Sequence, residues 1–166
     1  WDSADDAVAL IDHLGIDSAV FVGMSQGGYL SLRATPAHPD RVRALVMIDS
    51  MAGVDSAEEL EGYQGMMAAL TSGDDAVVDQ VLAGVAGLIL GEPDLTAEWV
   101  PKWKALVASS DITIPGATLL ERDDVSDRLG EVACPVLVVH GTEDQAITID
   151  NARIVADRVQ DCRGFV

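Results

Sequence analysis

The stretch "AVFVGMSQGGYLSL", running from Ala19 to Leu32, constrains the fold more than any other in the chain. Ala19 to Gly23 is a short β-branched and aromatic run bounded by turn residues. It is apolar on both faces, as a buried parallel strand requires. Ser25 follows almost at once, and a helix starting near Gln26 carries Tyr29, Leu30 and Leu32. A strand that turns directly into a helix commits this part of the chain to an α/β arrangement.

The flanking sequence extends that pattern. Ala7, Leu10, Ile11 and Leu14 follow the i, i+3, i+4, i+7 spacing of an amphipathic helix, with Asp2 or Ser3 as N-cap and Gly15 just past its end. Pro36 and Pro39 close the helix after the serine, because a proline disfavours helical geometry at the residue before it. "RALVMIDS" (Arg43 to Ser50) and "CPVLVVHG" (Cys134 to Gly141) read as two more buried strands, and Ala152 to Val159 as a helix after the last of them. Strands that alternate with helices pair in parallel through right-handed crossovers, so the predicted class is α/β with a parallel sheet.

Between Met51 and about Gly130 the pattern changes to helices without strands: Ser56 to Leu70, Asp74 to Leu90, Thr96 to Ser109, and a shorter piece from Leu119 to Leu129. One crossover needs far less chain. The expected organisation is a partial sheet core from residues 1–50 and 131–166, with residues 51–130 as a helical cap over one end of the sheet. "VLAGVAGLIL" (Val81 to Leu90) is too short for the roughly 18 apolar residues of a membrane span and reads as a buried helix.

A length of 166 residues suffices for one domain with a real core. Ten Lys plus Arg against 28 Asp plus Glu give a net charge of −18, which repels polyanions and anionic lipid surfaces. Nucleic-acid and membrane-surface partners are therefore not expected. Many Asp and only two lysines, Lys102 and Lys104, suit either a high-salt medium or a GC-rich genome. Cys134 and Cys162 are too few for a disulfide framework and lack metal-ligand spacing, so both are read as reduced, and no metal or cofactor is expected. A first residue of Trp rather than Met leaves the true N-terminus out of view, with the cytoplasm as the expected compartment and the oligomeric state open.

Gly23-Met24-Ser25-Gln26-Gly27 matches G-x-S-x-G in the strand-to-helix context that gives the motif its meaning. A serine on so sharp a turn adopts a strained backbone, and the glycines two before and two after it leave room for the turn. The following helix aims free N–H groups at the serine, so the amide of Gln26 is a candidate oxyanion donor. The plain alternative is a βα turn that happens to hold Ser and Gly. A phosphate loop is excluded, because neither G-x-G-x-x-G nor a G-K-[ST] ending is present.

These residues, "FVGMSQGGYLSLRA", then "HPDRVRALVMIDS", then the helical stretch, then "DRLGEVACPVLVVHGTEDQAI", resemble in order the α/β-hydrolase superfamily, particularly its small esterase, lactonase and haloperoxidase-like members. The resemblance covers nearly the whole chain. It implies Ser25 as nucleophile and, in the loop after the strand that follows the cap, Asp144 as the acid that orients a histidine. Asp49, which also ends a strand on the Ser25 side, is the alternative acid, and Glu143 is its neighbour in the loop. The family order Ser, Asp, His requires a histidine after Asp144, and none is present. His13 falls on the first helix, His38 at the end of the second, and His140 before Asp144.

Phe165-Val166 resembles the opening of the family's last strand, with the histidine in the loop just beyond it. Trp1 to Leu14 resembles the helix that precedes the serine strand, so the first strands and the loop bearing a second oxyanion N–H are not in the chain. The expectation is an internal fragment of a longer hydrolase, in which the serine strand forms an exposed apolar edge.

The implied function is hydrolysis of small uncharged esters or lactones through an acyl-enzyme. Met66, Met67, Trp99 and Trp103 are candidates for an apolar substrate wall or for plain packing. A perhydrolase or a C–C hydrolase would use the same residues, and a catalytically inactive binding module is the alternative of a different class. Dehalogenases and epoxide hydrolases of this fold carry an aspartate at the turn, so Ser25 argues against both.

Overall fold

The computed structural model describes residues 1–90 and 92–166. In chain order the elements are α1 (Asp2–His13), β1 (Ala19–Met24), α2 (Gln26–Ala37), β2 (Val42–Ile48), α3 (Ala57–Leu70), α4 (Asp75–Ile89), α5 (Pro93–Ser109), α6 (Thr113–Leu120), a 3-10 turn (Ser126–Glu131), β3 (Val136–Val139), α7 (Ile149–Arg158) and β4 (Cys162–Phe165). They fall into two compact units, one made of Trp1–Val54 with Asp123–Val166 and the other of Asp55–Arg122. No helix among the described residues is long and apolar enough to cross a membrane.

The first unit is a four-stranded sheet in the order β1-β2-β3-β4, parallel throughout. Side chains alternate across a strand, so the pairings Phe21–Leu45, Gly23–Met47, Leu45–Val136 and Met47–Val138 put one set of residues on one face. That face forms a single buried cluster with Ala4, Val8 and Ile11 of α1, Leu32 and Ala34 of α2, Leu129 and Val132, and Ala152 and Val155 of α7. Helix α1 ends in a left-handed glycine: Gly15 has φ 68, and Ile16 N–H donates back to Ile11 O.

Several expectations need correction. Strand β1 forms the expected apolar edge of the sheet, but it is buried on one face rather than both, with Val20, Val22 and Met24 42%, 62% and 60% exposed on the other. Helix α1 starts from Trp1 at the N-cap and buries the Ala4, Val8, Ile11 stripe, while Leu10 and Leu14 are exposed. Helix α2 runs through Pro36 to Ala37, with the Thr35 hydroxyl donating to Leu32 O, the carbonyl that Pro36 has no N–H to serve, and His38 is its C-cap. Strand β4 begins at Cys162, not Phe165: Val136 N–H donates to Asp161 O and Val166 N–H to Val138 O, so backbone pairing extends the strand through Arg163 and Gly164. Both cysteines are free.

The second unit is helical. Ser56 and Glu59 form a reciprocal capping box at the start of α3, and Asp74 caps α4. The run from Val81 to Leu90 is not buried all round: Leu82 and Ala86 face inward, and Leu88 and Ile89 are 68% and 63% exposed. In place of the expected helix over Leu119 to Leu129 stand α6 and the 3-10 turn. Pro115 and Gly116 obscure α6 in the sequence, but a proline in the first turn removes an N–H that has no helical partner. A Cβ on Gly116 would lie 2.4 Å from Met67 Cε, so the end of the Met67 side chain of α3 packs directly on this glycine of α6. The unit is closed at its own two ends by the ion pair Arg122–Asp55, 2.9 Å long, with side chains 5% and 10% exposed.

Arg33 anchors the first unit. Its guanidinium donates to Asp123 Oδ1, to Asp123 O and to Tyr29 O, while Trp1 Nε1 donates to Asp123 Oδ2. Burial pushes the Asp123 carboxyl up, but the hydrogen bonds from Arg33 and Trp1 and the Arg33 charge outweigh it and hold the group below its usual range. A depressed folded-state value stabilises the fold above the ordinary carboxylate pKa near ~3.9, and that contribution disappears as pH falls through the folded-state value. Asp123 is half exposed, so solvent screening limits the effect. Asp123→Asn is expected to cost about 1 kcal/mol or less at neutral pH in urea denaturation, with the gap to the unaltered protein closing below about pH 4. Arg122→Met leaves Asp55 buried and uncompensated and is expected to cost about 3 kcal/mol, most of it recovered in the Asp55→Leu/Arg122→Met double variant.

Candidate active site

Ser25 stands between β1 and α2 with φ 48 and ψ −119, a conformation that non-glycine residues rarely adopt. Two sets of hydrogen bonds impose it. Ser25 N–H donates to Ile48 O at 3.0 Å and so carries the β1–β2 ladder one residue further. Ser25 O accepts from Gly28 N–H at 2.9 Å, from Tyr29 N–H at 3.2 Å and from the Ser50 hydroxyl at 2.9 Å. The residue is therefore in the sheet at its nitrogen and in the helix at its carbonyl, and it is exposed. Gln26 opens α2, ahead of the first amide that finds a helical acceptor, so its N–H belongs to the unsatisfied first turn beside the serine.

The close fit rests on Gly23 and Gly28. A Cβ on Gly23 would lie 2.2 Å from Gly27 O, and one on Gly28 would lie 2.3 Å from Ser50 Oγ. Gly27 would meet nothing within 4 Å, so at the second motif glycine it is the backbone oxygen, facing Gly23, that is crowded. Gly28 was missed by the motif reading. The doubled glycine after Gln26 was its signal.

Both acid candidates lie at the ends of neighbouring strands. Asp49 follows β2 with φ 44, donates its N–H to Val139 O at 3.0 Å, and accepts Gly141 N–H at 2.8 Å on Oδ1. Asp144 lies in the loop after β3, where its Oδ1 accepts Ala146 N–H at 2.9 Å and Ile147 N–H at 3.0 Å. Its side chain is 17% exposed, against 35% for Asp49, and Glu143 is exposed. One carboxylate oxygen of Asp144 is thus fixed by backbone amides while Oδ2 keeps its acceptor capacity.

The structure brings His140 between these two acids. Its ring is fully buried; Nε2 lies 2.6 Å from Ile147 O, and since a carbonyl only accepts, Nε2 carries the proton. Nε2 is 3.6 Å from Asp144 Oδ2, and Nδ1 is 3.9 Å from Asp49 Oδ1 without a hydrogen bond among the described residues. Asp49, His140 and Asp144 offer donor atoms within 4.8 Å of one another. Each is already engaged by backbone groups, and the two ring nitrogens face different carboxylates, so the set suits a hydrogen-bonded bracket better than a metal ion. His13 sits exposed in the last turn of α1, and His38 Nε2 is 2.6 Å from Asp5 Oδ1.

The candidate substrate-wall residues all lie in the helical unit. Trp99 is 40% exposed with the Lys102 ammonium 4.4 Å from its ring centroid, Trp103 and Met66 are half-buried, and Met67 packs on Gly116.

A family model described as alpha/beta hydrolase fold matches residues 1–86, more than half of the chain. The chain is 27% identical over 160 residues to a non-heme haloperoxidase of Rhodococcus erythropolis, covering 90% of this chain and 58% of the relative. It is 21% identical over 154 residues to 3-oxoadipate enol-lactonase 2 of Acinetobacter baylyi, covering 93% and 57%. Among solved structures it superposes on Est816, an N-acyl homoserine lactone degrading enzyme, with a TM-score of 0.65 and 27% identity, covering 98% of this chain and 64% of the other. The chain thus spans somewhat over half the length of these two curated relatives. With a parallel sheet, and a serine held in a left-handed turn between strand and helix, the chain belongs to the alpha/beta hydrolase fold family.

Proposed function

We propose that this chain carries the nucleophile and the acid of a serine hydrolase that cleaves small, uncharged carboxylic esters or lactones. The observation that carries the reading is the Ser25 turn: an exposed hydroxyl on a backbone of φ 48, at the N-terminus of a helix. Strain of this kind costs about 1–3 kcal/mol and persists where the surroundings enforce it, most often at functional sites. Ser25 Oγ attacks the acyl carbon, and a base takes its proton and returns it to the departing alkoxide. The Gln26 N–H stabilises the oxyanion with the partial positive charge of the α2 N-terminus behind it. Water then releases the acid from the acyl-enzyme. Asp144, with Oδ2 open to a donor, orients the base and stabilises its charged form.

The base is proposed to come from outside these 166 residues, because His140 is fully buried, His38 is tied to Asp5, and His13 ends α1 ahead of the amino end of β1, the opposite end of that strand from Ser25. The uncovered apolar face of β1 supports a longer protein in the same way, since Val20, Val22 and Met24 form a patch that a folded protein ordinarily covers. The helical unit is proposed as the cap that selects substrate. The lactone-acting relatives favour an ester or lactone, and a net charge of −18 disfavours an anionic one.

In the full-length protein a fluorophosphonate probe is expected to label Ser25, and Ser25→Ala to abolish the labelling. An unaltered protein that takes no label would favour the binding-module alternative. Gly28→Ala drives a methyl into Ser50 and is expected to slow labelling about 10-fold or more by displacing the turn.

A further inference from the structure

We propose that Asp49 and His140 are positioning residues that clamp the 141–147 loop from its two ends and so present Asp144. The inference rests on the reading of Asp144 as the acid and deepens it. At the near end, Asp49 Oδ1 accepts the Gly141 N–H at 2.8 Å, across the gap between the ends of β2 and β3. The left-handed backbone of Asp49 turns its carboxylate toward Gly141 while its own N–H still completes the ladder on Val139 O. At the far end, the buried His140 ring donates Nε2–H to Ile147 O at 2.6 Å. Ile147 is also one of the two residues whose amides hold Asp144 Oδ1, so the peptide groups on either side of Ile147 are fixed together.

The loop between these clamps has little else to fix it. Of residues 141–147 only Ile147 is buried, and Asp144 N–H to Gly141 O, at 3.3 Å, is a long turn hydrogen bond. A carboxylate on such a loop holds its geometry only if the loop ends are held, and a displacement of about 1 Å at an orienting group costs on the order of 100-fold in rate. The clamp also separates the two acids by role. Asp49 acts through a hydrogen bond that a neutral amide oxygen can accept equally well, whereas the acid that stabilises a charged base needs its negative charge.

The test uses kcat and KM on a p-nitrophenyl ester of the full-length protein, with a melting curve for each variant. Asp49→Ala and His140→Leu are expected to lower kcat about 10- to 100-fold with KM changed less than about threefold. Asp49→Asn, which keeps an acceptor for Gly141, and His140→Gln, which keeps an N–H for Ile147 O, are expected to recover most of kcat. Asp144→Asn is expected to lose as much as Asp144→Ala. If Asp49→Asn is as inactive as Asp49→Ala while Asp144→Asn stays active, Asp49 is the acid and the clamp is overturned with the serine reading intact. Unchanged kcat in Asp49→Ala and His140→Leu also overturns the clamp alone. Absence of both hydrolysis and labelling in the unaltered protein overturns the serine reading and the clamp together.

Discussion

Helix α2 begins where β1 ends, and the two are so close that a Cβ on Gly23 would lie 2.2 Å from the Gly27 carbonyl oxygen. That approach fixes the rest of the candidate site. It forces one residue to serve as both the end of a strand and the first acceptor of a helix, and Ser25 meets both demands only at positive φ. Three donors converge on its carbonyl, so the backbone cannot relax without losing bonds of about 1 kcal/mol each. Ser25 is left exposed at the N-terminus of α2. Ser50, two residues beyond β2, contributes one of those donors and packs on Gly28, so the end of the second strand supports the turn at the end of the first.

How far this was legible in the sequence depends on how local each cause is. The serine turn, the three strands of the core and the helical stretch between Met51 and Gly130 rest on short-range signals, and β1 to β3 lie where periodicity and turn residues put them. The stripe buried by α1 does not. Its sequence carries two apolar stripes, Ala4-Val8-Ile11 and Ala7-Leu10-Ile11-Leu14, and only packing on α2 decides which turns inward. Helix α6 leaves little trace in the sequence because proline and glycine at 115 and 116 favour turns, although the first helical turn tolerates the proline. Strand β4 starts early because Cys162 and Gly164 pair with Val136 and Leu137 of β3, with Arg163 as the extra residue at a register shift, and no side-chain pattern announces this. The sequence places His140 only at the polar end of a strand. Its partners, Ile147 O and the two aspartates, are set by the path of a loop, so propensity could not reveal its place.

The two non-glycine residues at positive φ among the described residues are Ser25 and Asp49, each one position beyond a paired strand residue, Met24 in β1 and Ile48 in β2. Met24 and Ile48 are themselves register partners, so the two strained residues stand side by side at the carboxyl ends of adjacent parallel strands. Ligand sites in open α/β sheets gather at this end. Chance strain would be scattered over loops, where a small shift of backbone relieves it. Here each strained residue donates its N–H to the next strand, Ser25 to Ile48 and Asp49 to Val139, so relief would break a rung of the sheet. The parallel ladder therefore supports both conformations, and it does so in steps: β3 holds Asp49 at Val139, β2 holds Ser25 at Ile48, and Asp49 in turn holds Gly141 at the start of the Asp144 loop. Ser25 and Asp144, the proposed nucleophile and acid, are thus linked through sheet backbone, although they are more than a hundred residues apart in sequence.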